Sequence, residues 1–281
     1  MALVASRGWG ARASMVRVKR TVSAHLELHT FDRADLVLSV AVAGNVETER
    51  ETLTVVQNGS ALEAREIAGR HETRLHRIDA PPGPVTIDYE AVVVGHASPI
   101  VTEELDIIEY RRPSRYAESD SLFAISRAEF KGLAGKPLLD AVTSWVGTQL
   151  SYVTGSSQPT DGAVQTMLKR QGVCRDFAHL VIALLRAHDV PARLVSVYAP
   201  GLQPMDFHAV AEAYVEGDWH VVDATSLAPR ETMVRIATGM DASETAFLSQ
   251  HHAAVTLNRM NVTAVADSLP SDDVTRLVTL G

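Results

Sequence analysis

Apolar and polar positions alternate from Val16 onward. Val16, Val18, Leu26 and Leu28 are separated by polar neighbours, and Leu36, Leu38 and Val40 repeat the pattern. Both stretches predict strands with one buried face. Asn58-Gly59, between Leu53-Thr54-Val55-Val56 and Ala61-Leu62, predicts a tight hairpin because both turn residues tolerate positive φ. Pro81-Pro82-Gly83-Pro84 marks a break, after which Val85, Ile87, Tyr89 and Ala91 share one face. Short strands with this punctuation predict an antiparallel sandwich or small sheet as far as Ile108.

The period changes at Tyr110-Arg111-Arg112-Pro113-Ser114, a linker because the residue before proline avoids the helical region. Leu138, Leu139, Val142, Trp145, Val146 and Leu150 follow a 3.6-residue period, with Pro137 suited to the first turn. Thr160 and Asp161 offer caps for a short helix carrying Val164, Met167 and Leu168. After Gly172-Val173 a helix starts at Cys174. It is apolar nearly all round from Phe177 to Leu185, which predicts burial on most sides. Pro191 is expected to end it. Leu194–Tyr198, His208–Val215 and Trp219–Thr225 read as strands, the last two joined at Glu216-Gly217-Asp218. The tail mixes a helical piece, Ser243 to Gln250, with alternation at Val255-Thr256-Leu257.

The division that follows is a loose arm over 1–14, a β-rich domain over 15–110, and an α-plus-β core with C-terminal strands over 111–281. A hydrophobic content of 46% with 21% charged residues is that of a globular chain. Acidic residues outnumber basic ones, 34 to 26, for a net charge of −8. That balance argues against a nucleic-acid partner. Neither a signal-peptide core nor a membrane span is expected, so the protein is read as cytoplasmic. Cysteine occurs once, which excludes an internal disulfide and a thiolate zinc site. The histidine pairs lie at no convincing ligand spacing, so neither metal nor cofactor is expected.

Cys174 stands where a glycine-containing turn meets a helix N-terminus. Free backbone N–H groups and the positive end of the helix dipole there favour thiolate over thiol and can hold a developing oxyanion. A lone cysteine is most often a small buried hydrophobe. His208 opens a strand and can carry a proton near neutrality, although a histidine at a strand edge is also commonplace. Asp223 ends an otherwise apolar strand and can fix an imidazole tautomer or simply begin a turn.

Cysteine, histidine and aspartate follow in that order, 34 and then 15 residues apart. The strings Gly172-Val173-Cys174-Arg175-Asp176-Phe177-Ala178, Asp206-Phe207-His208-Ala209 and Trp219 through Asp223-Ala224-Thr225 resemble the transglutaminase-like superfamily, papain-related thiol enzymes. The likeness spans roughly 110–247, includes Arg112-Pro113-Ser114-Arg115-Tyr116 and Gly239-Met240-Asp241-Ala242, and is nearest to bacterial members. It implies an α+β fold: a papain-like transglutaminase core of helices on an antiparallel sheet, preceded by an antiparallel β-rich domain. It also implies a cysteine peptidase, amidase or transamidase acting on a protein or peptide substrate. Cys174 would be nucleophile, His208 base and acid, and Asp223 the orienting group.

Val210 departs from the aromatic that many relatives carry after His-Ala, at a position expected to shape the cleft. The oxyanion donor beyond the Cys174 N–H is open among Gln171, Gln149 and Tyr152. Arg175 and Asp176 are expected to pair or cap the helix, and Asp206 to serve a turn. His179 and His188 are expected to be satisfied by hydrogen bonds. Two further readings stay open: a non-catalytic binding or scaffolding module of the same fold, and an acyltransferase using a thioester donor, as in arylamine acetyltransferases.

Overall fold

The computed structural model describes residues 18–280. The arm expected over 1–14 and the strand start at Val16 lie outside the described residues. The chain opens with β1 (Lys19–Thr30), β2 (Ala34–Leu38), β3 (Thr48–Gln57), β4 (Ser60–Ala61), β5 (Arg65–Ala68), β6 (Arg74–Ala80) and β7 (Gly83–Val94). Helices follow: α1 (Glu104–Glu109), α2 (Phe123–Glu129) and α3 (Gly135–Gln149). Next come β8 (Ser151–Tyr152), α4 (Ala163–Lys169), β9 (Gln171–Gly172) and α5 (Cys174–Arg186). The remainder is β10 (Ala192–Tyr198), β11 (Phe207–Val215), β12 (Asp218–Val222), β13 (Val234–Gly239), α6 (Ala242–Thr245), β14 (Leu248–His251) and β15 (Val255–Ala266).

The N-terminal half is a sandwich of two antiparallel sheets, ordered β15-β1-β7-β3-β4 and β14-β2-β6-β5. Alternation along β1 becomes burial, with Val22, Ala24, Leu26 and Leu28 in a core shared with Leu36, Leu38 and Ile78 of the facing sheet. Asn58 and Gly59 turn the β3–β4 hairpin at φ 50 and 80, pairing Val56 with Ala61. The C-terminal strands differ from expectation. β15 pairs along the full length of β1 and β14 pairs with β2, so both complete the N-terminal sheets rather than the core. β7 takes one edge of β1, and β15 satisfies the backbone groups on the other.

The second half is an α+β core. Its antiparallel sheet runs β12-β11-β10-β13, and α5 lies on it with α3 and α4 packed against the helix. Leu180, Val181, Ile182, Leu184 and Leu185 of α5 are buried. Each contributes roughly 1.5–3 kcal/mol by leaving water, which anchors the helix axis. The helix stops at Arg186, ahead of Pro191, because Asp189 turns to φ 59 and the Val190 N–H returns to the Leu185 carbonyl at 3.2 Å. A left-handed turn, not the proline, ends it. At α4 the expected cap is also displaced. Asp161 accepts from the Gln158 N–H at 2.9 Å and Lys169 Nζ at 2.6 Å, and the helix begins after Gly162. The helical piece expected over 243–250 is cut to α6, after which β2 draws the chain into a strand.

Sandwich and core join through backbone as well as packing. Tyr198 Oη donates to the Val40 carbonyl at 2.8 Å, and the Ala43 N–H donates to the Arg235 carbonyl at 2.9 Å. Val234, Ile236 and Ala237 of β13 continue the sandwich core. Buried Arg186 secures the linker by donating to Arg112 O at 3.0 Å, Ser114 Oγ at 3.0 Å, Ala192 O at 2.8 Å and Met240 O at 2.7 Å.

Candidate active site

The first residue of α5 is fixed by the chain just before it. β8 and β9 form a parallel pair with Ser151 opposite Gln171 and Tyr152 opposite Gly172. Gly172 is required by close approach, since a Cβ there would lie 2.6 Å from Asp176 Cβ. Asp176, one turn into the helix, reaches back to accept from the Val173 N–H at 2.8 Å and takes Ser157 Oγ–H at 2.9 Å on its other oxygen. Arg175 pairs with it at 3.3 Å. Asp176 both caps and pairs, and Cys174 is left partly exposed at the positive end of the dipole.

His208, at the start of β11, is 1% exposed and Asp223, just past β12, is 6% exposed. His208 Nε2 meets Asp223 Oδ2 at 2.8 Å. The other carboxylate oxygen accepts from both the Thr225 N–H at 2.9 Å and its hydroxyl at 2.6 Å. Burial works to lower the imidazole pKa, but the Asp223 carboxylate, aided by Cys174, outweighs it and holds His208 up to about 10. Burial likewise works to raise Asp223, and the imidazole and Thr225 hold it below the ordinary carboxylate range. His208 Nδ1 is buried without a hydrogen-bond partner. The three sequence-predicted residues are thus brought together, with Nε2 committed to Asp223 and Nδ1 left for the sulfur.

Cys174 and His208 open on a cleft of about 510 Å³, with Tyr116 and Asp206 among its walls. Asp206 also accepts from the Phe207 N–H at 2.7 Å, the turn role expected of it. Among the three oxyanion candidates, Tyr152 is the one brought against Cys174. Its phenol is pushed up to about 12 by burial and the adjacent sulfur, with the Cys174 backbone N–H working against that rise. Gln149 is exposed at the end of α3, where its amide oxygen accepts from Arg170 at 3.5 Å, and Gln171 is exposed on β9. The difference comes from the β8–β9 register, which puts Tyr152 level with the approach to Cys174. Val210 does not shape the cleft. It is 1% exposed in a cluster with Val195, Val197 and Val221.

His179 and His188 are hydrogen-bonded as expected, whereas the Glu212 cluster escaped sequence reasoning. His179 accepts from the Ala242 N–H at 3.1 Å and stacks on Tyr116 at 5.5 Å, so it ties α5 to α6; burial lowers it to about 3 and keeps it neutral. His188 meets the Ser126 carbonyl at 3.0 Å. Four residues beyond His208, buried Glu212 accepts from Arg193 Nε at 2.8 Å and from Arg235 at 3.0 Å. Arg193 also lies 3.9 Å over the Trp219 ring. Burial works to raise Glu212, yet the two guanidiniums hold it down to about 2. The available signal was charge on three strands that are otherwise apolar.

The family model described as "Transglutaminase-like superfamily" matches residues 134–224, which contain Cys174, His208 and Asp223. The crystal structure of a Cytophaga hutchinsonii protein, provisionally classed as a cysteine protease, is 30% identical. It superposes with a TM-score of 0.83, the alignment covering 91% of this chain and 92% of that one. The chain belongs to the transglutaminase-like superfamily. An uncharacterized Mycobacterium leprae protein is 24% identical over 49% of this chain and 53% of its own. A second, from Mycobacterium tuberculosis, is 39% identical over 24% of this chain and 22% of its own. The chain therefore spans about half or less of the length of these curated relatives. The superposition on the Cytophaga structure takes in both the helix-on-sheet core and the β-rich N-terminal half. Among the described residues, no helix is long and apolar enough to cross a membrane.

Proposed function

We propose that this superfamily member is a cysteine-dependent acyl-transfer enzyme that cleaves amide bonds through a thioacyl intermediate. The observation that carries the reading is the buried His208–Asp223 pair at 2.8 Å, its second ring nitrogen unpartnered, sharing a cleft with the sulfur at the head of α5.

His208 Nδ1 takes up the Cys174 proton, and Asp223 stabilises the resulting imidazolium through Nε2–H. The thiolate sulfur attacks the amide carbonyl carbon, and its oxygen takes up the developing charge against the Cys174 N–H and the Tyr152 hydroxyl. The C–N bond then breaks as Nδ1–H protonates the leaving amine, leaving a thioester on Cys174. Water adds to the thioester carbonyl while Nδ1 removes its proton. The C–S bond breaks, the acid departs, and the thiolate–imidazolium pair returns. An amine in place of water would give a new amide. Water is the proposed acceptor, supported by the protease description of the Cytophaga relative. A reducing compartment such as the cytoplasm, which keeps a lone thiol reduced, is the proposed setting.

A mixed peptide library offered with a fluorescent primary amine tests both halves. New peptide termini should form with wild type and be lost with Cys174→Ala, and hydrolysed products should outnumber amine adducts. Full cleavage by Cys174→Ala would reject the mechanism, and adducts in excess would move the assignment to cross-linking.

A further inference from the structure

The cleft extends well past the reacting atoms, and its far side is not made by the core. Its floor is the face of β10 and β11, where two small residues, Ser196 and Ala209, stand directly opposite each other. One wall is the stacked pair Phe207 and Phe247, with ring centroids 5.2 Å apart. The wall opposite the helices comes from the sandwich: Ser39 after β2 and Met260 of β15. Polar groups interrupt the apolar lining, Ser243, Thr245 and Ser249 among them, and two stand out. The hydroxyls of Ser39, 2% exposed, and Ser196 are buried and have no hydrogen-bond partner. Buried hydroxyls without partners are uncommon and costly, so their place in a cavity lining points to a ligand that satisfies them.

We infer that this cavity is a specificity pocket, walled in part by the β-sandwich, for a substrate side chain that is large and apolar with a hydrogen-bonding tip, as in tyrosine. The inference rests on the proposed amide cleavage only for what happens next to the pocket; the pocket itself is a binding claim. An aromatic body fills the space between Phe247 and Met260. The tip meets Ser39 and Ser196, each of which can donate or accept. Cys174 and His208 line the same cavity as Ser196 and Ala209, so a side chain seated on this floor belongs to a residue near the bond under attack.

The test separates binding from chemistry. N-acetyl-tyrosine methylamide and its phenylalanine, alanine and aspartate analogues are titrated into Cys174→Ala protein and followed by ligand-observed NMR. Tyrosine should bind about tenfold more tightly than phenylalanine, and phenylalanine more tightly than alanine, with aspartate weakest. Joint replacement Ser39→Ala and Ser196→Ala should bring tyrosine to the level of phenylalanine. Ser196→Leu, confirmed folded by its melting curve, should abolish both by filling the floor. In the wild-type library digest, tyrosine should be enriched at one of the two positions flanking the cut. Equal binding of the alanine and tyrosine probes, or tyrosine binding that survives Ser196→Leu, would overturn the pocket. Tyrosine binding without any library cleavage would uphold the pocket and reject the enzyme reading instead.

Discussion

Asp223→Asn is the most informative single change at the candidate site, because it keeps shape and removes charge. One Asp223 oxygen accepts two Thr225 bonds, at 2.9 and 2.6 Å, and the other meets His208 Nε2 at 2.8 Å. An asparagine has a single oxygen. If that oxygen stays with Thr225, its NH₂ faces Nε2 and forces the ring to accept there. The ring proton then sits on Nδ1, which cannot take the proton of Cys174. If the amide turns instead, its NH₂ faces Thr225 and the bond from the Thr225 N–H is lost. The charge effect adds to this. With His208 held up to about 10, imidazolium is the dominant form at pH 7.5. Without the carboxylate, burial opposes the charged ring and only Cys174 still favours it, so the ring falls from that value. Imidazolium should become scarcer at pH 7.5, and turnover should fall by about 10²–10⁴ once the wrong tautomer is counted. Cys174 is the chain's single cysteine, so iodoacetamide uptake read by intact mass reports on this thiol alone. Wild type should label rapidly across neutral pH, with an alkaline change well above 6.5. The variant should label slowly at pH 7.5 and catch up only at alkaline pH. Superimposable profiles would refute the reasoning.

Other consequences are equally direct. Gly172→Ala should lower stability by about 1–3 kcal/mol and slow Cys174 labelling, because its Cβ displaces Asp176; thermal melts and the labelling rate check both. Tyr152→Phe should reduce kcat by about 10–10³-fold with little change in iodoacetamide labelling, since only an acyl substrate develops an oxyanion; an equal loss in both assays would make Tyr152 structural. Glu212→Gln should cost about 3–5 kcal/mol by stranding two buried guanidiniums. Glu212 is depressed from 4.5 to about 2, so its contribution is full above pH 4.5 and is lost as pH falls toward 2; the stability gap between wild type and Glu212→Gln should close across that window in acid titrations. A gap unchanged with pH would contradict the assignment.

Local signals reached as far as single elements and short turns. The β1 alternation, Asn58-Gly59 and the all-round apolar α5 depend on neighbours within a strand or helix, and the structure places them where those patterns put them; the Cys174–His208–Asp223 set spans three elements and was legible only through the family resemblance. What escaped depends on which edge meets which. Nothing in Val255 to Ala266 states that its partner is β1, more than two hundred residues earlier, since any open edge satisfies the same backbone groups. The choice of Tyr152 over Gln149 and Gln171 needs the two-residue β8–β9 register. The pocket needs Ser39, Ser196 and Met260 from three separate elements, and none carries a sequence signal of its own. Val210 shows the reverse error, an expected wall residue that the β-sheet turns into a packed cluster.

The central claim is covalent, so the most direct measurement is capture of the acyl group. Wild type, His208→Ala and Cys174→Ala are mixed with N-acylated peptide esters, quenched in acid within seconds, and weighed intact. The account predicts a mass increase equal to the acyl group on wild type, mapped to the peptide bearing Cys174 and released by hydroxylamine as a thioester should be. His208→Ala should acylate far more slowly, and Cys174→Ala should carry none. Ester turnover with no adduct on Cys174, or the same turnover from Cys174→Ala, would contradict it.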